Sequence, residues 1–210
     1  MVISLSAKGF AEFVLAGPSK KEQIVRNILR PKAKEAQVIV LYYARAIRVI
    51  RLYHAKGNDR AYLEGELRAL EEKVAEASAA QTRASLRNNI RAIRGYIQIY
   101  GHRRRKVVPR PRIYFGNGRV RLSASPDLAV EEDGRLKLVK LGIRKKGDNP
   151  EVVRIMLRVI YQAALTRFKV EPHDVVYFDV LNAARVRGSH RDADLATTID
   201  NGCDTLAGMC

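Results

Sequence analysis

Asp127 and Lys140 flank the dipeptide Asp133-Gly134, and together they form the most specific chemical feature of the chain. Asp-Gly between alternating apolar residues signals a two-residue type I′ hairpin, because both central positions must take positive φ. With that turn Glu132 pairs with Arg135, Ala129 with Leu138 and Asp127 with Lys140. Directly opposed residues on one sheet face have Cβ atoms about 5 Å apart, so a carboxylate and an ammonium can meet. Leu136 and Leu138 lie on the same face, so Lys140 points into the interior or a cleft rather than simply to water. The bland reading of the pair is a partly buried salt bridge that pins the hairpin register, of modest worth because desolvation opposes the Coulomb gain.

A second group of residues suits phosphate binding. Arg83, Arg87, Arg91 and Arg94 follow one another by four, four and three positions, which stacks them on one helical face opposite Leu86, Ile90, Ile93 and Ile97. At 1.5 Å per residue that line spans about 16 Å, enough for several successive phosphates. Arg103, Arg104, Arg105 and Lys106 continue it, and Arg144, Lys145 and Lys146 can extend it. Gln81 to Lys106 contains no Asp or Glu, so nothing local in sequence neutralises the stripe. The competing reading is a solvated face that only keeps the helix soluble.

These residues sit in a basic chain of 210 residues with 39 Lys and Arg against 22 Asp and Glu, a formal charge of +17. Residues 1–110 hold 23 bases against 9 acids, whereas residues 111–210 hold 16 against 13, so the charge belongs to the first half. Such asymmetry is the footprint expected for a partner that carries phosphates. An anionic membrane surface or an acidic protein competes as partner. The longest apolar run, Val38 to Ala44, is seven residues, far short of the ~20 a span requires. No secretory pattern opens the chain and only two cysteines occur, Cys203 and Cys210, so a soluble cytoplasmic protein is expected.

The first hundred residues read as helices. Ser6 starts a short one that Gly17 closes, and Pro18 opens a second that runs to Arg30. A long helix follows from about Lys34 to Ala55, ended by Gly57-Asn58. Asp59 caps the next, with Leu63, Leu67, Leu70 and Val74 as its stripe, and the last runs from about Gln81 to Tyr100. At Val107–Pro111 the apolar period drops from 3.6 to 2. Ile113–Phe115 and Val120–Leu122 flank Gly116-Asn117-Gly118, a second type I′ signal, and the Asp133-Gly134 hairpin follows. Then come a helix from Asn149/Pro150 to about Phe168, a buried strand Val175–Val180, a short edge piece Arg185–Arg187 and a terminal helix from His190. The expected class is α+β: a basic helical region, 1–106, packed with a mixed β-sheet core flanked by helices, 107–210. The helix at 81–101 can be counted with either.

Ser125-Pro126-Asp127, a hairpin, Leu138-Val139-Lys140, then a helix and a buried strand resemble the core of the PD-(D/E)XK nuclease-like superfamily, in its RecB-type arrangement, over residues 81–180. The resemblance implies a restriction-endonuclease-like sheet. It also implies that Asp127 would bind Mg²⁺ or Mn²⁺ and Lys140 would activate water in phosphodiester hydrolysis. The chain departs from the family pattern at one position: Leu138 stands where the second acid belongs. A hard cation needs several oxygen ligands. Glu131 shares the strand face but lies four residues away, about 13 Å at ~3.3 Å per residue, and Glu132 points to the other side. Glu151, in the first turn of the following helix, is the nearest substitute acid in chain order.

The sequence therefore reads as a nucleic-acid-binding protein, for DNA or RNA, on a nuclease-like scaffold with an incomplete metal site, with Mg²⁺ or Mn²⁺ implied as cofactor only if it is active. Two alternatives stand beside it. One is an active Mg²⁺-dependent nuclease using Asp127, Lys140 and Glu151. The other is an assembly subunit that binds an acidic protein or a second copy of itself.

Overall fold

The fold is known from a computed structural model that describes residues 2–29, 43–116, 118–143 and 146–210. The class is α+β. In chain order the described elements are β1 (Ile3–Ser6), α1 (Ala7–Val14), α2 (Pro18–Leu29), α3 (Ala44–Ala55), α4 (Arg60–Glu76) and α5 (Ala80–Tyr100). They continue with β2 (Lys106–Val107), β3 (Tyr114–Phe115), β4 (Val120–Ser123), β5 (Leu128–Glu132), β6 (Arg135–Gly142) and α6 (Pro150–Leu165). β7 (Val175–Asp179), β8 (Ala184–Arg187) and α7 (Leu195–Gly208) complete the chain.

Local chemistry sets the boundaries. Ser6, Asp59 and Asn149 each accept a backbone N–H from the first turn of α1, α4 and α6, at 3.0, 3.0 and 2.9 Å, which satisfies donors a helix start leaves open. Asp133 and Gly134 take φ of 54° and 70°, the I′ geometry that joins β5 to β6. Glu132 then pairs with Arg135, Ala129 with Leu138 and Leu128 with Val139, the register expected from the turn.

β5 and β6 lie within a five-stranded sheet of order β2-β5-β6-β7-β8. β6 and β7 run parallel, Lys140 beside Tyr177, and the other neighbours are antiparallel. Alternation gives the sheet two buried faces. Ala129, Leu138, Val175 and Tyr177 pack with α1, α6 and α7, whereas Leu128, Val130, Val139, Val176 and Phe178 pack with α3, α4 and α5.

Three expectations need correction, and a fourth is not reached by the described residues. The chain does not build one sheet, because β1 pairs parallel with β4 and β3 pairs antiparallel with β4 in a separate three-stranded sheet. Residues 3–29 do not join the other N-terminal helices: Ile3, Phe10, Phe13 and Val25 belong to the core on the α6 side. The β3–β4 hairpin pairs Phe115 with Leu122, not with Val120 as a turn centred on Asn117-Gly118 would require. The third helix is described from Ala44, and the expected start at Lys34 lies outside the described residues.

Polar side chains knit α3 to α5 inside their core. Asn58 donates through Nδ2 to the carbonyls of Gly101 and Arg103, which turns its Oδ1 toward His54 Nδ1 at 2.8 Å. His54 Nδ1 is therefore the protonated ring nitrogen, and Nε2 accepts from the Tyr96 hydroxyl at 2.9 Å. Burial holds the imidazole down at about 4, against the Asn58 bond that favours its charged form, and the Arg105 charge adds to the depression. Because the folded state resists a proton that the unfolded chain accepts near 6.5, stability falls as pH drops from about 6.5 to about 4 and levels below that. The expected loss is about 2–3 kcal/mol, read from urea midpoints across that window. His54→Gln should flatten this part of the profile, and an unchanged slope in that variant would contradict the assignment.

Candidate functional site

The Asp127–Lys140 pair forms as the turn requires. Lys140 Nζ lies 2.9 Å from Asp127 Oδ1 and 3.4 Å from the Ser125 carbonyl. The other carboxylate oxygen, Oδ2, accepts the backbone N–H of Leu141 at 2.9 Å. Asp127 is buried and thus engaged at both oxygens, by a charge on one side and a main-chain donor on the other. That asymmetry predicts unequal costs. Lys140→Met should lower stability by about 1 kcal/mol, whereas Asp127→Ala, which also orphans the Leu141 N–H, should cost about 2–3 kcal/mol in chemical denaturation.

The donor set does not fit a divalent metal. Leu138, where the resemblance would put a second acid, is fully buried in the α6-side core. Glu131 pairs with Lys106 at 2.8 Å and Glu132 faces the opposite side of the sheet, where Arg103 and Arg105 approach it. Glu151 is exposed at the start of α6 and held by Arg154, which also grips Asp192. Among the described residues no group of three or more His, Cys, Asp or Glu side chains could hold a metal ion. Neither Asp127 nor Glu151 is supported as a metal ligand.

Sequence reasoning missed a polar chain on the same sheet face. Tyr177 stands beside Lys140 in the parallel register, and its hydroxyl donates to Asp148 Oδ2 at 2.9 Å. Lys8, from α1, holds Asp148 Oδ1. Gly142 makes room for the tyrosine, since a Cβ there would lie 1.8 Å from its hydroxyl oxygen. The signal was weak because Lys8, Asp148 and Tyr177 are far apart in sequence and each is unremarkable alone.

The arginine stripe divides into a cleft-lining part and a part engaged elsewhere in the fold. Arg87, Arg91 and Arg94 are exposed and line an open cleft of about 850 Å³ between α4, α5 and the end of β7. The cleft floor is apolar, with Ile90, Ile99, Val180 and Leu181. Gly95 sets α5 this close to the sheet, because a Cβ there would meet the Val180 carbonyl at 2.4 Å. Glu71 is the one acid among the described residues that line the cleft, and it takes Arg94 at 2.6 Å. Arg91 bonds only the neutral Asn88, and Arg87 has no carboxylate partner among the described residues.

Three members of the expected track are otherwise occupied. Arg83 donates to the carbonyls of Ala77 and Ser78 at the end of α4, at 2.6 and 2.8 Å. Arg105 is buried, donating 2.6 Å to the Tyr100 carbonyl, so it is a structural residue, not a surface one. Lys106 is drawn into the β2–β5 pair by Glu131. Arg103, Arg104 and Lys146 are exposed, and Arg144 and Lys145 lie outside the described residues. Tyr53, Tyr96 and Tyr100 are core residues, as their helical spacing suggests. Cys203 is buried and its thiol is pushed up to about 11 by that burial, which keeps it unreactive.

The chain matches no protein-family model, no curated protein and no solved structure. No described helix is long and apolar enough to cross a membrane.

Proposed function

We propose that this chain binds nucleic acid along the exposed arginines of α5, on a nuclease-like scaffold that does not hydrolyse the bound strand. The supporting observation is the α5 cleft: Arg87 and Arg91 stand on its wall with no carboxylate partner among the described residues, in a stretch of chain devoid of acids. Guanidinium groups spaced one helical turn apart match successive backbone phosphates, and each neutralised phosphate releases counterions. Among the described residues no helix-turn-helix recognition unit accompanies them, so the binding proposed is to the backbone and not sequence-specific. The part of the reading that denies hydrolysis is supported by Leu138 in the acid position and by the double engagement of Asp127.

A gel mobility shift with labelled DNA and RNA, run with and without Mg²⁺ and Mn²⁺, tests both parts. At low salt the expected result is a retarded, intact strand under all conditions. Metal-dependent cleavage that disappears in Asp127→Ala would establish the active nuclease instead, and absence of any retarded species would remove the binding reading.

A further inference from the structure

The sheet face beneath the end of α5 gathers more positive charge than its acids balance. Arg185 and Arg187 alternate with Val186 on β8 and pair with Phe178 and Val176, so both project to the α5 side of the sheet. Tyr100 ends α5 beside them, with its hydroxyl on the Ala184 carbonyl at 2.8 Å and its ring stacked on Phe178 at 4.0 Å. Arg105 and Arg185 stand 5.7 and 5.4 Å from the centroid of that same Phe178 ring. Arg103 and Arg105 share Glu132, at 3.6 and 3.7 Å, longer than direct hydrogen bonds.

Nearby acids do not relieve the cluster. Asp174 is bound by Arg135 at 2.8 Å and by Lys137, and Glu132 is the carboxylate that Arg103 and Arg105 share. Arg187 is exposed with no acid on it among the described residues. Among the described residues the buried Arg185 Nε has no hydrogen-bond partner, although a buried N–H normally has one. Burial lowers the Arg185 pKa, and repulsion from Arg187, Arg103 and Arg105 lowers it further against the pull of Glu132. Like charges converge at this cost where an anion completes the arrangement.

We infer that Arg103, Arg185 and Arg187, backed by the buried Arg105, form a binding site for a phosphate or diphosphate group, separate from the α5 cleft. The guanidinium donors of Arg185 and Arg187 would face the oxyanion, and the partly desolvated surroundings of Phe178 strengthen each charge-assisted bond. The group can belong to a free phosphorylated small molecule or to a nucleic-acid end; the recognising chemistry is the same. The site goes beyond nucleic-acid binding by α5 and does not depend on it.

Titration of the full chain with pyrophosphate, by calorimetry and by thermal unfolding at ionic strength held constant with chloride, tests the site. Binding with a raised unfolding temperature is expected, weakened about 10-fold or more in Arg187→Gln and in Arg103→Gln, both of which alter exposed side chains. Arg87→Glu with Arg91→Glu should leave pyrophosphate binding unchanged, which separates this site from the α5 reading. Given that result, tighter binding of a 5′-phosphorylated than of a 5′-hydroxyl oligonucleotide assigns the site to strand ends, and equal binding assigns it to free phosphorylated ligands. Absence of pyrophosphate binding, or binding undiminished in both glutamine variants, would overturn the proposal. So would its loss in the α5 variant.

Discussion

Reversing two charges on α5, Arg87→Glu together with Arg91→Glu, is expected to weaken nucleic-acid binding on the order of 10²-fold at low salt. Both residues are exposed on the cleft wall and neither is held by a carboxylate among the described residues, so their charge is available to a partner. Arg94 differs, because its 2.6 Å pair with Glu71 must open or be shared before it can contact a phosphate. Arg94→Glu alone should therefore have the smaller effect, and Glu71→Gln should strengthen binding slightly by releasing Arg94. Fluorescence anisotropy on a labelled strand measures all three. The fold should be unaffected, since exposed substitutions of this kind usually change stability by no more than about 0.5 kcal/mol.

Gly142→Ala is expected to have the largest effect on stability, about 2–4 kcal/mol. A Cβ at this position lies 1.8 Å from Tyr177 Oη and 2.3 Å from Cζ, so the whole ring end would have to move, not a flexible tip. The ring is buried in the α6-side core and its hydroxyl is anchored on Asp148, which Lys8 also holds. Overpacking of a core costs about 1–3 kcal/mol and loss of the hydroxyl's hydrogen bond adds about 1 kcal/mol. Tyr177→Leu in the alanine background removes the obstacle and should recover most of the loss. Equal destabilisation of the single and double variants in urea denaturation would show that the ring is not the cause.

The central hairpin was legible because its rules are local. Asp133-Gly134 fixes the turn, the turn fixes the register, and a period of two carries that register back to Asp127 and Lys140. The arginine face of α5 was legible for the same reason, as helical period alone sets Arg87, Arg91 and Arg94 on one side. What escaped depends on contacts distant in sequence. β1 is four residues long and its partner β4 lies beyond five described helices, so nothing near Ile3 announces a strand. Arg103 to Lys106 is a run of like residues in sequence, yet the Tyr100 carbonyl and Phe178 bury Arg105 while Arg104 stays in water. The crowding of Arg185 and Arg187 against Arg103 and Arg105 likewise follows from the β7–β8 pairing and from where α5 ends, neither of which a charge count reveals.

The most direct test of the account is the salt dependence of nucleic-acid binding by the parent chain and by the Arg87→Glu, Arg91→Glu variant. With Arg87, Arg91 and Arg94 each neutralising one phosphate, the logarithm of the association constant should fall linearly with that of salt concentration, with a slope of about −3. In the variant the slope should shrink by about two. A parent slope near zero, or a variant that keeps both the affinity and the slope of the parent, would contradict the placement of the interface on α5.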